Sequence, residues 1–147
     1  MVREVQISSF GGVDVMEEKN ITLKKNPSAE EIRIKQTAIG INYIDTYHRS
    51  GVYPIGLPSS LGIEGVGIVT SVGTGVNYFK VGDRVGYAST PVGSYCEERD
   101  FPAKMAVLIP EFLDDFGAAS ILLKGMTVEY LLNRAYNVKH GDYVLFH

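Results

Sequence analysis

A single cysteine, Cys96, stands in the 147 residues, so an intrachain disulfide is impossible and a four-cysteine structural zinc site is excluded. Such usage fits a reducing compartment. No apolar run approaches the roughly eighteen residues of a membrane span, and the opening MVREVQISSF lacks the apolar core of a signal peptide. The 14 Lys and Arg are scattered rather than clustered and the net charge is −3, so the basic stripe that nucleic acid or an anionic membrane demands is missing. These absences predict a cytoplasmic protein with no nucleic-acid or membrane partner. Nucleophile motifs are lacking too: Gly93-Ser94-Tyr95 is not a Gly-x-Ser-x-Gly elbow, and no Cys and His pair is evident. His48, His140, His147 and Cys96 show no ligand spacing.

What is present is an ordinary globular composition, 45% hydrophobic and 21% charged, with 16 Gly and 6 Pro that predict many turns. A chain of this length buries about 68–70% of its unfolded surface, enough for a real core. Val2, Val5 and Ile7 open a strand, Gly11-Gly12 offers a turn, and Val13 to Leu23 returns. Glu31 to Gln36 alternates polar and apolar, the period of a half-buried strand feeding Ala38 to Ile41. Further strands are expected at Val66 to Val72, Arg84 to Tyr87, near Gly93 to Arg99, and at Ala106 to Ile109. Their spacing is that of a barrel or sandwich.

Asn42 to Arg49 predicts about two helical turns, ended by Ser50-Gly51, with Ile44, Tyr47 and His48 on one face. Pro54 and Pro58 then hold an irregular loop. Beyond Pro110 the character changes. Asp114 and Asp115 suit a helix N-terminus, and Phe116 to Leu123 continues it. Past Lys124-Gly125, Val128, Leu131, Leu132 and Ala135 recur at i, i+3, i+4 and i+7, which predicts a second, amphipathic helix with Thr127 near its start. Tyr143 to His147 reads as an apolar strand of the kind buried in a parallel sheet, and nothing else in the chain supplies such a sheet. The expectation is a fragment cut after the first strand of a second domain, with that strand disordered or paired to a neighbouring molecule.

The densest chemistry lies between Gly40 and Gly67, where Tyr43, Tyr47 and Tyr53 accompany Asn42, Asp45, His48, Arg49 and Glu64. Gly73-Thr74-Gly75 is no dinucleotide fingerprint, because Tyr78 takes the place of the last Gly and strand-forming Val81 and Val85 follow. Taken together, GINYIDTYHRSGVYP, LGIEGVGIVTSVGTGV, GDRVGYA and SILLKGMTVEYLL resemble the N-terminal, GroES-like domain of the zinc-free, NADPH-dependent quinone oxidoreductases, the zeta-crystallin branch of the medium-chain dehydrogenase/reductase superfamily.

The resemblance covers the whole chain and implies a mainly β (α+β) fold: a GroES-like, partly open β-barrel with a few helices, C-terminal linker helices and the first strand of a missing Rossmann domain. It implies a substrate and catalytic domain over 1–125 and a linker helix and strand over 126–147. The zinc enzymes of the superfamily place Cys and His where this chain has Asn42 and Ile63, and neither a carboxamide nor an aliphatic side chain replaces a zinc ligand. The implied chemistry is metal-free hydride transfer from NADPH to a quinone by a homodimeric parent, the fragment itself being inactive. By the same resemblance Tyr47 and Tyr53 are the catalytic or cleft residues, and Asn42, Asp45, Tyr47, Lys124 and Thr127 approach the cofactor. The alternatives are a zinc-free NADPH-dependent enone or alkenal reductase and a non-enzymatic GroES-like interaction module.

Overall fold

In the computed structural model, which describes residues 1–145, ten strands and helices alternate with short turns. β1 (Val2–Ile7), β2 (Met16–Ile21) and β4 (Ser59–Ser60) form one antiparallel sheet in the order β2-β1-β4. β3 (Glu31–Gly40), β5 (Glu64–Val72), β6 (Arg84–Ala88), β7 (Glu98–Pro102) and β8 (Val107–Leu108) form the other, in the order β7-β3-β5-β6-β8. A single antiparallel bridge, Glu4 to Cys96, links β1 to the segment before β7. The sheets do not close on each other, so the barrel is partly open, as expected.

β3 is the spine of this arrangement. Its period-two pattern buries Ile32, Ile34, Ala38 and Gly40 while Arg33 and Lys35 face outward, and it pairs with β5 along its length, from Ile32 opposite Val72 to Gly40 opposite Glu64. Ile32 and Ile34 pack with Val69, Val85, Tyr87 and Phe101 into the main core. There the Tyr87 and Phe101 rings stack 4.1 Å apart, and the buried Arg99 guanidinium lies over both.

α1 (Tyr43–Ser50) follows β3 almost at once. It starts because Asp45 accepts the Asn42 backbone N–H at 2.9 Å, the N3 half of a capping box, and it stops because Gly51 adopts the left-handed conformation at φ 82°. The buried side carries Asp45 and His48, with Ile44 and Tyr47 only half-buried, a rotation from the expected face. Two further expectations shift. The strand placed near Gly93 to Arg99 begins only at Glu98, because Gly93 sits at φ 126° and its neighbours donate backbone bonds back to Leu61 and Gly62.

The predicted pair of C-terminal helices is one. α2 (Asp115–Glu129), capped by Asp114 Oδ1 on the Gly117 N–H at 2.6 Å, runs through Lys124-Gly125 without a break and passes into a π-helical stretch over Tyr130–Ala135. An interior Gly weakens a helix by about 1 kcal/mol relative to Ala, and the helix-forming Leu122, Leu123, Lys124 and Met126 around it outweigh that cost. Thr127 is therefore mid-helix rather than near a start, and its hydroxyl donates to the Leu123 carbonyl at 2.9 Å. Ala118 and Ala119 bury against Ala38 and Val66, whereas Val128, Leu131 and Leu132 remain exposed. Tyr143 to Leu145 are exposed and join no strand, and the rest of the expected strand, residues 146–147, lies outside the described residues. No helix among the described residues is long and apolar enough to cross a membrane.

Gly40 is the position where the helix meets the sheet. A Cβ there would stand 2.4 Å from the Ala119 carbonyl oxygen and 2.2 Å from Glu64 Oε2, and the first of these is backbone that cannot rotate away. Gly40→Ala is expected to cost about 1–3 kcal/mol in denaturant unfolding, with α2 pushed off the sheet; an unchanged midpoint would show that the helix shifts freely.

Candidate functional site

Three elements converge on the carboxylate of Glu64, the first residue of β5, which is 0% exposed. From the N-terminus of α1, Asn42 Nδ2 donates to Glu64 Oε2 at 2.7 Å. From α2, the Leu123 backbone N–H donates to Glu64 Oε1 at 2.8 Å, and the Lys124 ammonium stands 3.8 Å from Oε2. Lys124 Nζ also donates to Asn42 Oδ1 at 2.9 Å, so the carboxamide lies between anion and cation with both of its polar atoms engaged. A buried charge is tolerated only when paired and hydrogen-bonded, and Glu64 meets that condition through all three partners.

Asp45 and Tyr95 hold Asn42 from behind. Asp45 Oδ2 accepts both the Asn42 backbone N–H and, at 2.9 Å, the Tyr95 hydroxyl, which arrives from the loop before β7. Asp45 is buried and its other oxygen has no partner among the described residues. Burial and the neighbouring carboxylate push the Tyr95 phenol well above the usual tyrosine range, so it stays protonated as the donor. Burial likewise raises the Cys96 thiol to about 11, which leaves it unreactive at neutral pH.

In front of the network the aromatic side chains form a ladder. The rings of Tyr43 and Tyr47 meet edge to face at 5.3 Å, and those of Tyr47 and Tyr53 at 5.1 Å. The Tyr53 N–H donates to the Tyr47 carbonyl at 3.2 Å, which ties the loop to the helix. None of the three hydroxyls makes a hydrogen bond among the described residues, and Tyr43 and Tyr53 are exposed. A cleft of about 410 Å³ lined by Val5, Ile39, Ile41 and Cys96 opens beside the network and shares Tyr95 with it.

Residues 28–145 match the alcohol dehydrogenase GroES-like domain. The chain belongs to that family. A quinone oxidoreductase of Pseudomonas aeruginosa is 44% identical over 148 residues, covering 100% of this chain and 45% of the relative. The solved Escherichia coli quinone oxidoreductase complexed with NADPH superposes with a TM-score of 0.91 at 42% identity, over 93% of this chain and 42% of that one. A 2-haloacrylate reductase of a Burkholderia species is 41% identical over 155 residues, covering 100% of this chain and 46% of its own. This GroES-like domain thus spans less than half the length of the relatives it matches.

Of the residues expected from sequence, the domain brings Asn42, Asp45 and Lys124 into one hydrogen-bonded cluster, and Tyr47 and Tyr53 into one ladder beginning on the same turn of α1. Thr127 lies one turn beyond Leu123 on α2, at the i+4 position. The two positions that carry zinc ligands in the zinc enzymes hold Asn42, committed to Glu64 and Lys124, and the buried aliphatic Ile63. Among the described residues no three His, Cys, Asp or Glu side chains gather closely enough to hold a metal.

Sequence reasoning named Glu64 without giving it a role and passed over Tyr95 as a site residue. Glu64 carried a signal: a lone acid inside the apolar run Leu61 to Val72 must be buried, and a buried acid must have partners. Tyr95 carried none, since its partner is 50 residues away. Tyr95→Phe is expected to lower stability by about 1 kcal/mol at neutral pH. Because the phenol holds its proton more tightly when folded, wild-type stability declines as pH rises past about 10, and the variant's decline is shallower. Unfolding midpoints measured from pH 8 to 11 check both; parallel profiles would remove Tyr95 from this role.

Proposed function

We propose that this chain is the acceptor-binding part of an NADPH-dependent oxidoreductase that reduces quinones without a metal. The observation carrying the proposal is the Glu64–Asn42–Lys124 cluster beside the Tyr43–Tyr47–Tyr53 ladder, in a chain similar from end to end to quinone oxidoreductases. Asn42 and Ile63 offer no thiolate or imidazole, so the donor chemistry at the two ligand positions is wrong for zinc. A quinone needs little carbonyl polarisation, and a flat ring suits the edge-to-face tyrosines, of which Tyr43 and Tyr53 are exposed.

The residues present fit one end of the cofactor. Lys124 retains uncommitted N–H groups on a side chain that is 56% exposed, and the Tyr47 and Tyr53 hydroxyls are unengaged among the described residues. Reduced nicotinamide supplies the hydride when bound. Asn42, Asp45, Tyr47, Lys124 and Thr127 would hold its nicotinamide and ribose end, with the buried Asp45 acting through Asn42. Among the described residues no glycine-rich turn leads from a strand into a helix, and a cradle for the cofactor's phosphates would fall in the part of the relatives that this chain does not match. In the same reading residues 126–147 would form a linker between domains, and the working protein would be a cytoplasmic homodimer.

A related reading is reduction of an activated alkene, favoured by the 41% identity to a 2-haloacrylate reductase. In both reactions the protein positions a planar acceptor and supports an oxygen that gains charge. Tyr47 donates a hydrogen bond to that oxygen. Turnover of Tyr47→Phe in the natural-length protein is expected to fall about tenfold or more with NADPH and a quinone, and unchanged turnover would remove Tyr47 from the step. The 147-residue chain alone is expected to bind NADPH weakly or not at all by fluorescence titration; tight binding would contradict the division of labour proposed here.

A further inference from the structure

We infer that the Lys124 ammonium is a catalytic hydrogen-bond donor to the acceptor oxygen that becomes negative when the acceptor is reduced, and that Asn42 and Glu64 hold it there. The inference rests on the oxidoreductase reading above and assigns the charged partner that reading lacks. A tyrosine hydroxyl offers an oxyanion one hydrogen bond; an ammonium offers a hydrogen bond and a full positive charge.

The geometry argues for a group held in place yet open on one side. Lys124 leaves the middle of α2, where Leu123 is anchored to Glu64 by its backbone N–H, so the root of the lysine side chain is tied to the sheet. At the other end Nζ donates to Asn42 Oδ1 at 2.9 Å and stands 3.8 Å from Glu64 Oε2. Only one of its three N–H bonds is thereby committed at hydrogen-bonding distance. The carboxylate is 0% exposed and the lysine side chain 56% exposed, so anion and cation balance in number while only the cation meets an incoming ligand. Asn42 is also the N-cap of α1, directly before Tyr43, so the ammonium bonds to the residue that opens the helix carrying Tyr43 and Tyr47.

In the reduction of a quinone, hydride supplied by the reduced nicotinamide brings two electrons and one proton, an O–H bond forms at one oxygen, the two carbonyl π bonds give way to one new ring C=C bond, and the remaining electron pair comes to rest on the second oxygen. Lys124 Nζ–H donates to that oxygen, and a proton from water completes the reduced product. The lysine keeps its own proton throughout. A donor of this kind favours the reduced anion over the neutral acceptor, so its removal weakens the one more than the other.

The test uses the natural-length protein with Lys124→Met and with Lys124→Gln, the second retaining an N–H for Asn42 Oδ1 should the first fail to fold beside an unpaired Glu64. Dissociation constants are measured for neutral 1,4-naphthoquinone and for 2-hydroxy-1,4-naphthoquinone, an anion at neutral pH that mimics the charge of the reduced product, together with NADPH affinity and turnover. Both variants are expected to bind the anion about tenfold more weakly, to bind the neutral quinone and NADPH within twofold of wild type, and to lose turnover at saturating NADPH. Equal weakening toward both quinones, or a loss confined to NADPH affinity with turnover restored at saturation, overturns the assignment and places the ammonium on the cofactor. Wild-type protein that binds both quinones yet oxidises no NADPH in their presence overturns the oxidoreductase reading, and this proposal with it.

Discussion

A carboxylate with no access to water is the constraint around which this domain is arranged. Removing an ionised group from solvent costs several kcal/mol even after relaxation, and the cost is recovered only by close partners of good geometry. Glu64 has an amide N–H from Asn42 at the start of α1, and a backbone N–H from Leu123 and the nearby Lys124 ammonium from α2. The strand, the start of α1 and the middle of α2 are consequently held in one relation. A helix resting on the sheet by apolar contact alone would have only Ala118, Ala119 and Leu122 to set its position; the polar anchor adds direction to that contact.

The same constraint explains why small residues surround the network. Gly40 faces Glu64 across the β3–β5 pair, and its missing side chain is the space in which the carboxylate and the Ala119 carbonyl approach. Behind Asn42, Asp45 accepts from a backbone N–H and from Tyr95, so the capping device that starts α1 also fixes the carboxamide's root. Local structure and site geometry are here one set of hydrogen bonds: a change that frays the first turn of α1 also releases the Asn42 side chain.

Much of this was legible in the chain. Period-two alternation located β3, the Asn42 to Arg49 pattern and Ser50-Gly51 bracketed α1, and the Asp114 and Asp115 signal began α2 where expected. These are local effects, in which a residue's own conformational preference or a partner three positions away decides the outcome. What local reasoning missed depends on distance. The break predicted at Gly125 did not occur because the propensity of its neighbours outweighed one glycine, and Thr127 was misplaced with it. Glu64 was visible as an acid in an apolar run but not as a hub, since its partners are 22 and 59 residues away. Tyr95 was invisible for the same reason.

The arrangement also bears on how a domain of this family can do without a metal ligand set. A carboxamide is a poor zinc ligand but has a donor and an acceptor at opposite ends, and Asn42 uses both, toward a carboxylate on one side and an ammonium on the other. A cysteine could not bridge the two, because a thiolate accepts only and would face Glu64 as a second negative charge. A protonated thiol would be a weak donor on too short a stem. With Asn at position 42, an internal anion demands an internal cation, and the half-exposed Lys124 supplies it without a bound ion. Positive charge at this surface is thus covalently attached. That is a consequence of the Asn42 side chain once Glu64 is buried, and it makes Asn42 and Lys124 two parts of one electrostatic solution.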